Sequence, residues 1–228
     1  MGNLFQDRTE AGQVLATRLT YFAHRPDVLV LALSNGSMPV AAEVARELRA
    51  PLDLFLMREL AVPEHEELAM GAVAPGGVLI VNEVVVQRLD IPEETLNAAA
   101  LREGRELQEH EKVYRPDRPA SALGRQIIIL IDDGLATEVV LRGAVAALRQ
   151  HEPAAIVVAV PIAARGLCAE LATEVEQTVC LEMQEPAYAV GLYYRHFPQV
   201  TDDEVRELLQ QSTADLRQTT HNIEESIL

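Results

Sequence analysis

The chain contains no tryptophan, and its aromatic share is only 4%, so whatever core it builds must be mostly aliphatic. Cysteine is nearly absent too. Cys168 and Cys180 are the two in 228 residues, which makes no disulfide framework. Without a Cys-x-x-Cys motif they offer no metal or redox signature either, and each reads as a small buried apolar side chain. Basic residues are few, 19 against 35 acidic ones, for a formal net charge of −16. Nucleic acid and anionic membrane both call for a basic face, so neither is expected as a partner, although a local basic pocket is still allowed. No apolar run approaches the ~20 residues of a membrane helix. The opening MGNLFQDRTE lacks the basic-then-apolar order of a secretion signal, so the expected location is cytoplasmic.

What the chain does have is a 49% hydrophobic share, distributed in short runs. Residues 28–33, 52–56, 127–131, 155–160 and 178–181 are short, mostly apolar runs that read as strands, those at 28–33, 127–131 and 155–160 wholly apolar as burial on both faces of a sheet requires. Between and around them, helical spacing appears at 9–24, about 39–49, 138–150, 163–175 and 202–217. Thr9 is the expected cap of the first helix, and Thr201 or Asp202 that of the last. This alternation predicts an α/β fold of three layers, a mostly parallel twisted sheet flanked by helices with right-handed crossovers. Residues 61–118 read as a small insertion within a single domain spanning 1–228. It holds a hairpin turning at Pro75-Gly76-Gly77, then a polar helix at 92–114 that is either a solvated surface or a lid. His65 among Glu64, Glu66 and Glu67 has no metal-ligand spacing and reads as a solvated loop.

The chain is organised around residues 127–140, IIILIDDGLATEVV. Five apolar residues run into Asp132 and Asp133, then a loop, Gly134-Leu135-Ala136-Thr137, and a helix beginning at Glu138. Ligands of parallel sheets bind at the carboxyl ends of the strands. A loop that opens a helix presents unpaired N–H groups and the positive end of the helix dipole, which together suit a phosphate. Two adjacent carboxylates suit vicinal hydroxyls or hydrated Mg²⁺. A sugar phosphate has both groups, while the plainer alternative is that the acids only cap the strand and the helix. The turn Ser34-Asn35-Gly36-Ser37 after the strand at 28–33 is another place where backbone amides and hydroxyls can hold an anion. Arg58, after the strand at 52–56, is the best cationic candidate.

IIILIDDGLAT resembles the signature of type I phosphoribosyltransferases that binds 5-phosphoribosyl 1-pyrophosphate (PRPP). FQDRTEAGQVLATRL, ELAMGAV, VPI and EPAYAVGLYYRHFPQVTDDEV resemble one bacterial branch of that family, so the likeness covers almost the whole chain. It implies that Asp132 and Asp133 hold the ribose hydroxyls and, through water, Mg²⁺. Residues 134 to 138 would take the 5-phosphate and Ser34 to Ser37 the pyrophosphate, while the segment holding Tyr188, Tyr193, Tyr194 and Phe197 would lie near the acceptor. That aromatic segment can equally be packing for the last helix. The implied reaction transfers phosphoribosyl to a nitrogen acceptor with release of pyrophosphate, in a homodimer.

The departures from the pattern bear on turnover. The family usually continues with Thr-Gly and a further threonine, whereas here Glu138 stands for the glycine and Val140 for the hydroxyl donor. Asn35 replaces an arginine, Glu59 follows Arg58 where a lysine is usual, and Ala136 stands where purine-salvage members carry an aspartate. Two readings therefore remain, a transferase of unknown acceptor and a catalytically degenerate binding or regulatory protein. An unrelated nucleotide-binding module is a third, which would make the likeness coincidental.

Overall fold

Ile127 to Ile131 alternate between two faces, and both faces are apolar because both are covered. Ile127, Ile129 and Ile131 enter one core with Leu15, Val44, Val205 and Leu209. Ile128 and Leu130 enter the other with Leu141, Val145 and Leu148. The computed structural model describes residues 4–115, 119–134, 136, 138–164, 166–184 and 190–227. The side chains of 66–67, 138–139, 184, 190 and 219–227 fall outside that description.

In chain order the first elements are α1 (Arg8–Thr17), β1 (Val28–Ala32), α2 (Met38–Leu48), β2 (Leu52–Leu54), β3 (Arg58–Val62), β4 (His65–Ala74) and β5 (Val78–Val81). There follow α3 (Glu83–Arg88), α4 (Glu93–Tyr114), β6 (Ile127–Ile131), α5 (Glu138–Arg149), β7 (Ala155–Ala164), α6 (Leu167–Leu171), β8 (Gln177–Gln184) and α7 (Asp202–Ile227). The main sheet is five-stranded, in the order β2-β1-β6-β7-β8. All its pairings are parallel, with β6 in the middle, in register from Val28 opposite Ile127 to Ala32 opposite Ile131. Helices α1, α2 and α7 cover one face, and α5 and α6 the other. This is the expected α/β architecture. Among the described residues no helix is long and apolar enough to cross a membrane.

The second sheet is three-stranded and antiparallel, in the order β3-β4-β5. Its β4–β5 turn is the expected Pro75-Gly76-Gly77, where Gly76 and Gly77 both take positive φ. Leu60, Met70 and Val73 pack against Leu96, Ala99 and Leu107 of α4, giving this part a core of its own. Arg115, one residue past α4, ties it to the main sheet, donating from Nε to Asp53 Oδ1 of β2 at 2.7 Å with both side chains buried.

Several boundaries differ from the expectations. Helix α1 is capped by Asp7, whose carboxylate accepts from the N–H of Glu10, and it ends at Thr17, with a separate 3₁₀ turn at Thr20–Phe22. Strand β7 runs through Pro161 to Ala164, because β6 has already ended opposite Ala159 and the missing proline donor falls where only β8 remains as partner. Helix α6 is short, and α7 reaches Ile227. Cys168 and Cys180 are not separate apolar fillers. They form a disulfide between α6 and β8 that closes 12 residues of chain.

Candidate functional site

Past the end of β6 the two aspartates part company. Asp132 is 2% exposed and Asp133 0%, yet their carboxylates have different hydrogen-bond partners. Asp132 Oδ1 accepts from Ser37 Oγ at 3.0 Å, and its Oδ2 accepts the N–H groups of Gly134 at 2.7 Å and Ala136 at 2.9 Å. Gly134 turns the loop back onto the carboxylate with φ of 102°, a conformation that favours glycine. Burial above all, and then the neighbouring Asp133, push the Asp132 carboxyl up to about 6.

Asp133 faces the opposite way. Its Oδ2 accepts from Arg8 Nε at 2.9 Å, and Arg8 is itself 6% exposed. The same guanidinium donates from Nη1 to the carbonyl of Pro198 at 2.6 Å and lies 3.6 Å over the Phe197 ring. Tyr194 stacks on Phe197 at 4.8 Å and donates its hydroxyl to the Asp133 carbonyl at 2.8 Å. Burial and the adjacent Asp133 charge push the Tyr194 phenol up. Gly36 completes this junction by leaving room for it. A Cβ there would stand 2.8 Å from Asp133 Oδ2 and 3.4 Å from Arg8 Nη2.

The Ser34 to Ser37 turn is thus wired into both acids. Ser34 Oγ and Ser37 Oγ share a hydrogen bond of 2.7 Å beside Asp132. Asn35 points elsewhere, donating from Nδ2 to Tyr114 Oη at 2.9 Å and to Asp202 Oδ1 at 3.0 Å, while Tyr114 donates to the same carboxylate at 2.6 Å. It joins the turn to the end of α4 and the start of α7. Arg58 is held by α4, through Glu103 at 2.8 Å and Glu106 at 2.5 Å. Leu135, Thr137 and the Glu138 side chain lie outside the described residues, as does Tyr188.

A cavity of about 920 Å³ opens between the carboxyl end of β6, the flank of α5 and the antiparallel sheet. Asp132, Ser34 and Ala136 line its floor, and Arg58, Asn35, Gly36 and Asp133 do not line it. Its one guanidinium among the described lining residues, Arg142, pairs with Glu174 at 2.6 Å. Tyr193 and Tyr194 are buried with Phe5, Ala11 and Ile162, so these two serve packing. Among the described residues no three His, Cys, Asp or Glu side chains assemble as a metal cage.

The residues that sequence reasoning passed over are Arg8, Tyr114 and Asp202. A signal for the first was available: Arg8, Ala11 and Leu15 fall on one stripe of α1, and all are buried. A charged residue on an apolar stripe needs a partner inside. Tyr114 and Asp202 carry no such mark, since each is the last or first residue of a polar helix.

No family model matches the chain. Two curated Mycobacterium tuberculosis proteins, from strains H37Rv and CDC 1551, bear the provisional name phosphoribosyl transferase. Each is 37% identical to it over 212 residues, covering 93% of this chain and 48% of the relative. The chain therefore spans about half the length of these relatives. The crystal structure of the protein TT1426 from Thermus thermophilus superposes with a TM-score of 0.79 at 34% identity, covering 92% of this chain and 99% of that one.

Proposed function

Because the chain belongs to the type I phosphoribosyltransferase-like family, we propose that it binds PRPP with Mg²⁺ at the carboxyl end of β6 and transfers the phosphoribosyl group to a nitrogen acceptor, releasing pyrophosphate. The observation that carries this reading is Asp132, a buried carboxylate on the cavity floor that holds the loop opening α5 by two backbone N–H groups. Vicinal ribose hydroxyls can replace those donors at Asp132. The freed amides of Gly134 and Ala136 then join the N-terminal end of α5 as phosphate donors. Binding is then an exchange of hydrogen bonds at Asp132.

Asp132 suits hydrated Mg²⁺ through water, being an acceptor on a cavity wall. Asp133 does not suit it, because Arg8 already compensates its buried carboxylate. When bound, the ion supplies charge neutralisation for the diphosphate. Catalysis by the protein is then positioning and charge stabilisation, with no protein nucleophile. The family likeness implies a homodimer, and self-association in the cytoplasm is part of the same reading. Sedimentation at micromolar concentration that finds only a 25.0 kDa species would remove the dimer from it.

A second reading, a ligand-binding protein without turnover, is favoured by one set of contacts. Asn35, where the family has arginine, is engaged with Tyr114 and Asp202, and Arg58 is neutralised by Glu103 and Glu106. Calorimetric titration with Mg-PRPP tests the site, and pyrophosphate release with a panel of nitrogen acceptors separates the two readings. The transferase reading expects heat at micromolar PRPP and release with at least one acceptor. Binding without any release supports the second reading, and the absence of binding refutes both.

A further inference from the structure

Much of the cavity lining is aliphatic. Ala69, Ala72, Ile80 and Val84 line it from the antiparallel sheet and α3, and Val140 and Ala146 from α5. Among the described lining residues there is no aromatic ring. The one amide side chain among them, Asn82, is spent locally, donating to the carbonyl of Ala69 at 3.2 Å and accepting from the N–H of Val85 at 3.3 Å. A flat nucleobase would find no ring to stack on and, for its edge, only an amide already held by two local hydrogen bonds.

The charge is equally one-sided. Glu59 of β3 and Glu83 of α3 line the cavity with exposed side chains, and Asp132 lies on the floor, while the only guanidinium among the described lining residues is spent on Glu174. A carboxylate-bearing acceptor would be repelled, whereas an ammonium group on an alkyl body matches both the charge and the wall. We infer that the acceptor is an aliphatic amine that enters as its ammonium form, an assignment that rests on the phosphoribosyl-transfer reading of the same site. The ammonium gives one proton to a rim carboxylate, and the nitrogen lone pair forms the bond to C1 of the ribose. The C1–O bond breaks with its electron pair remaining on pyrophosphate, and a second nitrogen proton leaves to solvent.

The test compares ligands of one length and different charge. Hexylamine, hexanol, hexanoate and hypoxanthine are titrated by calorimetry into the full chain loaded with Mg-PRPP. Hexylamine is expected to bind more tightly than hexanol, with hexanoate and hypoxanthine weakest. The Glu59→Gln/Glu83→Gln double variant, folded by thermal unfolding, should bind hexylamine about threefold to tenfold more weakly, the scale of exposed charge pairs. Hypoxanthine binding better than hexylamine, or hexylamine binding unchanged in the double variant, overturns the assignment. Failure of Mg-PRPP to bind, with hexylamine still preferred over hexanoate, would defeat the phosphoribosyl reading and leave the cation-selective cavity standing.

Discussion

Arg8 and Asp133 lie 125 residues apart in the chain and meet as a buried pair, each compensating the charge that the other carries out of water. Deleting one partner strands a buried charge, a loss on the order of 3–5 kcal/mol. Arg8→Met and Asp133→Ala are therefore both expected to lower urea-unfolding stability by that amount. An Asp133→Ala protein of wild-type stability that has lost only ligand affinity would return this acid to the role the sequence suggested for it. Asp132 behaves differently. Its folded pKa stands above the ordinary 3.8, at about 6, so its contribution is fully present when it is protonated, below about pH 4, and is lost as pH rises through 6. The loss is about 2–3 kcal/mol. Asp132→Asn cannot titrate, so its stability relative to wild type should rise by roughly that amount between pH 4 and 7. A difference that stays flat over that range would place Asp132 in an ordinary carboxylate environment. The sequence marked both aspartates but not their division. Which way each turns depends on Arg8 and Ser37, and neither is adjacent to them in the chain.

Among the elements, the strands of the main sheet were legible because burial on both faces leaves an unbroken apolar run, and β6 shows this over its whole length. What was not legible depended on partners. The extent of β7 past Pro161 is decided by where β6 stops, and the strand β3 carries the polar Arg58 and Glu59, which α4 and the cavity absorb. The cap of α7 was readable, and the structure chooses between the two candidates. Thr201 N–H donates to Glu204 Oε2 at 2.7 Å while Thr201 Oγ1 accepts the Glu204 N–H at 3.3 Å, a reciprocal capping box. Thr201→Ala should cost about 1 kcal/mol in thermal or urea unfolding. No loss would mean that the start of α7 is held instead by the contacts of Asp202 with Tyr114 and Asn35. The bond between Cys168 and Cys180 left no trace in spacing, since it depends on α6 folding back beside β8. Closing so short a loop is worth about 2–3 kcal/mol. Urea unfolding with and without reductant should differ by that amount, and thiol titration of the unfolded, unreduced chain should find neither cysteine free.

For the molecule as a whole, a charge of −16 places every approaching ligand in a negative field. Raising ionic strength from about 0.01 to about 0.15 M shortens the screening length from about 30 to about 8 Å. The association rate of PRPP should then rise and that of an alkylammonium fall, which stopped-flow measurements at the two salt concentrations can check. Equal salt responses for the two ligands would show that the local pocket, and not the net charge, governs approach. The three-layer arrangement was open to reading from the sequence, and so was the position of the two aspartates just past the end of β6. The cavity was not, because it forms between two sheets whose separation no residue pattern encodes. The junction at Arg8 also places a condition on biosynthesis. Its guanidinium is synthesised first, and the carbonyl it binds, Pro198, follows 190 residues later. A nascent chain halted between β6 and the aromatic segment would display both aspartates with Asp133 joined to neither Tyr194 nor the Phe197-backed arginine. The junction of Arg8 and Asp133 is therefore completed only once Tyr194 and Pro198 have been made, whatever order the rest of the sheet assembles in.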